Sequence, residues 1–309
     1  ADPAPGGLVP TPPARTVFLL FAALVGCSQP PPPPEAGPLQ VATLSWPVTA
    51  LALRLLDGTT AQVRCHLPAD MDPPDWQPTS AEVSAIVDAD VIVANGAGYE
   101  AWLSTAALPA AALIDTSANI TVLSGPETTH QHDGQTAHSH GGTEPHTWLD
   151  PATAARQAEA LAERLIIKMP DQRAILEKHR DGLVDELGQL DAELETTLQA
   201  VRDLRLATNH PFQAYIVDHH HRPIATFDLD PATVPGPEAL AAVQAWAQQG
   251  SGVVLWEHPP TEAVKAALGP GLKHVHFDTI EDGGPDQRPD GTARLRANLS
   301  RLQALSPKR

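Results

Sequence analysis

The stretch DQRAILEKHRDGLVDELGQLDAELETTLQAVRDL, residues 171–204, decides how the rest of the chain is read. Leu176, Leu183, Leu187, Leu190, Leu194, Leu198 and Val201 recur at three- and four-residue steps, which places them on one face of a single amphipathic helix. At about 1.5 Å per residue, such a helix runs roughly 45 Å. One apolar seam of about four heptads also fits a coiled coil. A strut inside one chain is the more economical reading, because something must join what lies on either side.

Both flanks carry the same rhythm. Ahead of the helix, short β-rich runs at 39–45, 61–67, 91–95 and 111–115 alternate with helical patterns at 48–58, 79–89 and 99–108. The second helix opens on a capping-box pattern around Thr79. Behind the long helix, strand-like runs at 204–209, 223–229, 252–257 and 273–277 alternate with helices at 211–219, 236–249, 260–268 and 291–304. Strands alternating with helices imply βαβ units and parallel sheets. The expected fold is therefore α/β: two lobes, 39–170 and 204–309, joined by one long rigid helix over 171–203.

Composition narrows the function. The chain has 309 residues, 42% of them hydrophobic, and a formal net charge of −17. That charge argues against a nucleic-acid partner, which needs a basic face. Residues 1–38 read as a separate leader. Arg15, the apolar run 17–25 and Gly26–Cys27 resemble a secretory signal ending in a lipobox, with Cys27 as the lipidated residue. The prolines that follow predict a stiff polyproline II stalk. Residues 1–14 look like an upstream extension and carry no fold information.

In open parallel sheets, ligands bind beyond the carboxyl ends of strands. That rule selects His210 after the strand at 204–209, Asp278 after 273–277, Glu257 and His258 after 252–257, and the loop 66–78 after 61–67. His146 precedes Asp150 and Pro151, a helix N-cap and N1 pair. Imidazole nitrogens with one carboxylate oxygen suit a divalent transition metal, zinc first. Singly, each residue has a plain explanation as a cap, turn former or surface group. Together, beside the tract HQHDGQTAHSH (130–140), they point to metal. Within that tract His130, His132, His138 and His140 are candidate auxiliary ligands, and its glycines predict a loose loop of weak sites over 128–142. DHHHRP (218–223) reads as a surface cluster at a helix C-terminus where metal binding is possible.

EPHTWLDP (144–151) resembles the H-x-W-x-(D/S)-P signature of the zinc and manganese substrate-binding proteins of bacterial ABC importers. DPPDWQPTSAEVSAIVDADVIVANGAGYEAWL (72–103), NHPFQAY (209–215), VVLWEHPP (253–260) and HFDTI (276–280) are similar to further segments of that family, in order, over residues 39–304. The resemblance implies two lobes with metal in the cleft between them. It makes His146, His210 and Asp278 the ligands and an ABC permease the partner. It also exposes a departure: Pro74 stands where the family carries its first histidine. Water, Asp72, Asp75, His66 or a histidine of 130–140 would take that position, or the site is vestigial; water or a loop histidine is favoured.

The expected function is extracytoplasmic binding of Zn²⁺, with Mn²⁺ as alternative, by a monomer anchored through Cys27, and delivery to the permease. Two other readings stay open. A zinc hydrolase would use the open position with Glu257 as base, although no H-E-x-x-H motif is present. A metal buffer or adhesion protein would need only the histidine tract.

Overall fold

The computed structural model describes residues 37–69, 71–125, 142–284 and 286–306, the backbone at 129–130 and 138–139, and Ala1, Asp2, Gly6 and Gly7. Cys27, the apolar run before it, the proline stretch, His132 and His140 lie outside the described residues, as do the side chains of His130 and His138. Pro38–Arg309 forms one compact unit.

Two parallel sheets organise that unit. The first contains β1 (Gln40–Thr43), β2 (Gln62–Cys65), β3 (Val91–Ala94) and β4 (Leu113–Asp115) in the order β2-β1-β3-β4. The second contains β5 (Arg205–Thr208), β6 (Ile224–Thr226), β7 (Gly252–Trp256) and β8 (Leu272–His276) in the order β8-β7-β5-β6. Every pairing within them is parallel. VIVA and GVVLW are buried along their whole length, as strands covered on both faces must be. Helices α1 (Trp46–Leu55) and α2 (Ser80–Val87) cross over in the first sheet; α5 (Ala214–His220), α6 (Pro237–Ala247) and α7 (Glu262–Leu268) do so in the second. The capping box forms as the sequence predicts: Thr79 Oγ1 accepts from Glu82 N at 3.3 Å, and Thr79 N donates to Glu82 at 2.7 Å.

Between the sheets run α3 (Pro151–Lys168) and α4 (Arg173–Ala200), and α8 (Gly291–Gln303) closes the second half. The seven apolar residues on the face of the long helix are all buried, in one core cluster that includes Val41 and Val91 of the first sheet and Leu206 and Val253 of the second. The helix packs on α1, α3 and α8. Its seam is consumed inside the chain, which excludes the coiled-coil reading.

One element differs from expectation. Only Ala101–Ser104 within 99–108 is helical, and as a 3₁₀ turn. Gly96, Ala97 and Gly98 take φ of 78°, 53° and 84°, and this left-handed run swings Tyr99 inward. The Glu100 carboxylate then turns back to accept from Asn95 N at 2.9 Å, Gly96 N at 3.1 Å and Ser45 Oγ at 3.0 Å. Buried there, that carboxyl is pushed up to about 7 despite those donors.

Candidate metal centre

His146 is held by a lattice of buried amides. Asn95, just past the end of β3, is fully buried. Its Nδ2 donates to the Pro145 carbonyl at 3.0 Å, and its Oδ1 accepts from Thr147 Oγ1 at 3.1 Å and Gln157 Nε2 at 2.9 Å. The residues on both sides of His146 are thus tied to a strand end. Below them, Asp150 caps α3 by accepting from Thr153 N at 2.9 Å, with Pro151 at the first helical position. Across the molecule, Trp148 Nε1 donates to the Thr279 carbonyl at 2.7 Å. Replacing Asn95 with alanine is expected to destabilise the metal-free protein by about 2–4 kcal/mol, because several buried partners lose their bonds at once. Urea unfolding measures it.

The imidazole of His146 is oriented by carboxylates. Its Nδ1 is in close contact with Glu144 Oε1, and its Nε2 lies 3.6 Å from Glu281 Oε1. His210 is built the same way from the other half. It follows β5 through Asn209, whose Nδ2 donates to Glu257 Oε1 at 2.9 Å, and Glu257 N donates back to Asn209 Oδ1 at 3.1 Å. Glu257 Oε2 then sits 2.5 Å from His210 Nδ1. A carboxylate at Nδ1 orients each ring and holds the proton on that nitrogen, so that loss of a proton from the imidazolium frees the Nε2 lone pair.

The two rings meet, with centroids 5.4 Å apart. With the metal about 2.0–2.1 Å from each Nε2, two imidazoles on one tetrahedral ion have ring centres about 5 Å apart. The 3.6 Å between His146 Nε2 and Glu281 Oε1 is likewise close to one edge of such a tetrahedron. Tyr99 Oη donates to the same Glu281 oxygen at 2.7 Å and fixes it.

Protons and a metal compete here. Burial alone would lower His146, but the charges and hydrogen bonds of Glu144 and Glu281 overcome it and push the ring up to about 10. Burial alone would raise Glu281, yet the bond to His146 and its charge hold it down. His146 therefore carries a proton at neutral pH in the metal-free protein. Its folded pKa lies above the ordinary 6.5, so the stability it contributes is fully present below that value and is lost as pH rises toward 10. A zinc ion bound at this ring would have to displace that proton. The apparent zinc affinity is expected to rise about tenfold per pH unit between roughly pH 7 and pH 9, measured by competition against a chelator. An affinity flat across that window would contradict the assignment.

The other candidates are distributed as follows. Asp278 is paired with Arg294, which takes Oδ2 through Nε at 2.7 Å and Oδ1 through Nη2 at 2.5 Å. Ile280 N also donates to Asp278 Oδ1 at 2.9 Å. The carboxylates set against His146 are those of Glu144 and Glu281. Ile280, packed in the core, takes φ of 63° while 3% exposed, and at this left-handed turn Asp278 faces Arg294 and Glu281 faces His146. Asp72 stands close enough that its charge raises the Tyr99 hydroxyl, after burial and Glu281. Asp75 N closes a turn onto the Asp72 carbonyl at 3.0 Å. His66 is lowered by burial and by Arg64, and senses Glu82 of α2. Pro74 is half-buried in the loop between Asp72 and Trp76. Neither Glu144 nor Glu281 is selected by the strand-end rule; the signal for Glu144 is an acid two residues before His146, inside the quoted signature.

The chain is 25% identical over 299 residues to the high-affinity zinc uptake system protein ZnuA of Bacillus subtilis, covering 93% of each. It is 25% identical over 307 residues to the zinc-binding lipoprotein AdcA of Streptococcus pneumoniae, covering 94% of this chain but 60% of that longer protein. A manganese-binding lipoprotein MntA of Halalkalibacterium halodurans is 24% identical over 175 residues, 57% of this chain and 55% of its own. The crystal structure of the Zn(II)-bound ZnuA-like domain of S. pneumoniae AdcA superposes with a TM-score of 0.74 at 21% identity, over 87% of this chain and 99% of that one, and so shares the fold. The family profile described as zinc-uptake complex component A, periplasmic, matches residues 41–304, nearly all of the compact unit, and the chain belongs to that family.

Proposed function

We propose that this protein binds a divalent transition metal outside the cytoplasm, zinc in first place, and hands it to the ABC permease of a metal importer. The observation that carries the reading is the pair of buried imidazoles from opposite halves, 5.4 Å apart, with Glu281 3.6 Å from one of them. Each ring is backed by its own carboxylate, the arrangement that raises ligand basicity in metal sites. His146, His210 and Glu281 supply two nitrogens and one oxygen. That set favours zinc over manganese, which prefers more oxygen ligands. The position that Pro74 cannot fill goes to water, to Asp72 or to a histidine of 130–140.

We assign no catalytic role. Glu257, the base a hydrolase would need, is committed to orienting His210 and to Asn209. Anchoring through Cys27, a stalk over the prolines and a monomeric state complete the proposal. Among the described residues no helix is long and apolar enough to cross a membrane. Competition titration with zinc and manganese, followed by incubation of the zinc-loaded protein with ester, phosphoester and peptide substrates, tests it. Preference for zinc and absence of turnover are expected. Metal-dependent turnover would replace the receptor reading by the hydrolase one.

A further inference from the structure

A second cluster of metal-ligating side chains lies where three helices meet, built from groups outside the cleft centre. Asp150 comes from the start of α3, Asp191 from α4, and His219 and His220 from the end of α5. One ligand atom from each lies within 4.8 Å of the others. His219 Nδ1 is 3.0 Å from Asp150 Oδ1 and 3.5 Å from Asp191 Oδ1. His220 Nε2 is 3.8 Å from Asp150 Oδ1 and 3.3 Å from Asp191 Oδ1. Ligand atoms about 2.0–2.2 Å from a tetrahedral zinc are about 3.3–3.5 Å from one another, and the four separations straddle that spacing.

Three further observations point to a cation. Asp191 Oδ1 and His220 Nε2 are sealed from solvent and have no hydrogen-bond partner among the described residues, though they face each other. Buried polar atoms left so are uncommon and call for a partner. His220 Nδ1 pairs with Glu195 Oε2 at 2.9 Å, which turns the Nε2 lone pair into the cluster, as Glu144 and Glu257 do for the cleft rings. Asp150 uses Oδ2 to cap α3 and presents Oδ1.

We propose that Asp150, Asp191, His219 and His220 form a second zinc site, separate from the cleft, which ties α3, α4 and α5 together. Its outer ligand His219 has a side chain 41% exposed, so the site opens to solvent on that side. Asp150 is four residues from His146, so an ion here would brace the segment that presents the cleft histidine. The competing arrangement is a set of protonated imidazoles paired with carboxylates, in keeping with the raised pKa of His219 beside Asp150.

Crystals of the full chain saturated with zinc, measured at the zinc absorption edge, decide between the two. An anomalous peak about 2.0–2.2 Å from these four atoms is expected, both in the wild type and in His210→Ala. In solution, His220→Ala is expected to lower bound zinc by one per chain at saturation. Asp191→Asn, at a partly exposed position, should do the same in a chain whose circular dichroism is unchanged. No peak here, or unchanged stoichiometry in both variants, overturns the proposal. A peak here without one at His146 would instead count against the cleft reading and leave this one standing.

Discussion

His210→Ala is expected to lower zinc affinity by more than a hundredfold while the protein still folds. In the proposed site the ligands are two imidazole nitrogens and one carboxylate, so the variant removes a third of the protein's ligand set. Changing groups that only orient a ligand costs about 10- to 100-fold, and deleting the ligand itself must cost more. The fold should survive because Glu257 keeps the 2.9 Å bond from Asn209 Nδ2 and the return bond through its own N–H. Loss of one partner of a buried pair is expected to cost about 1–3 kcal/mol. His146→Ala should behave alike in affinity. Competition titration checks both, and a change below about tenfold would mean that these rings are not the principal ligands.

The second large effect separates two carboxylates three residues apart. Glu281→Gln is expected to weaken zinc binding by at least tenfold, since it removes the anionic oxygen beside His146 Nε2 and lowers that ring's affinity for any cation. Asp278→Asn should leave the affinity within about threefold but lower stability by about 2 kcal/mol, the worth of hydrogen bonds to a charged partner. Its carboxylate and the Arg294 guanidinium are 17% and 18% exposed, so screening is modest. If Asp278→Asn abolished binding and Glu281→Gln did not, the strand-end position would have been the better guide to the ligand than the geometry.

That contrast shows what was legible before the structure. The alternation of strand and helix, and the leucine face of residues 171–204, are period signals that local sequence carries in full, and the two parallel sheets and α4 follow them. His210 is reached by a strand-end rule, and His146 by its place just ahead of a cap and an N1 proline; both rules are local. The acidic ligand proposed here, Glu281, depends on something that is not. Ile280, a β-branched residue, adopts φ of 63° only because the buried core around it holds it there. Nothing in the sequence HFDTIED announces the turn, and without it Asp278 would be the natural choice. The short 3₁₀ turn at 101–104 escaped for a related reason: a helical composition was overridden by the Glu100 carboxylate turning back onto Asn95 and Gly96.

The gathering of ligands from both halves of the chain onto one ion is tested most directly by a crystal structure of the zinc-loaded protein with anomalous data at the zinc edge. The account predicts an ion bonded to the Nε2 atoms of His146 and His210 and to a Glu281 oxygen, with Asp278 still on Arg294. An ion bonded to Asp278, or zinc confined to the histidines of 130–140 with the cleft rings unligated, would contradict it.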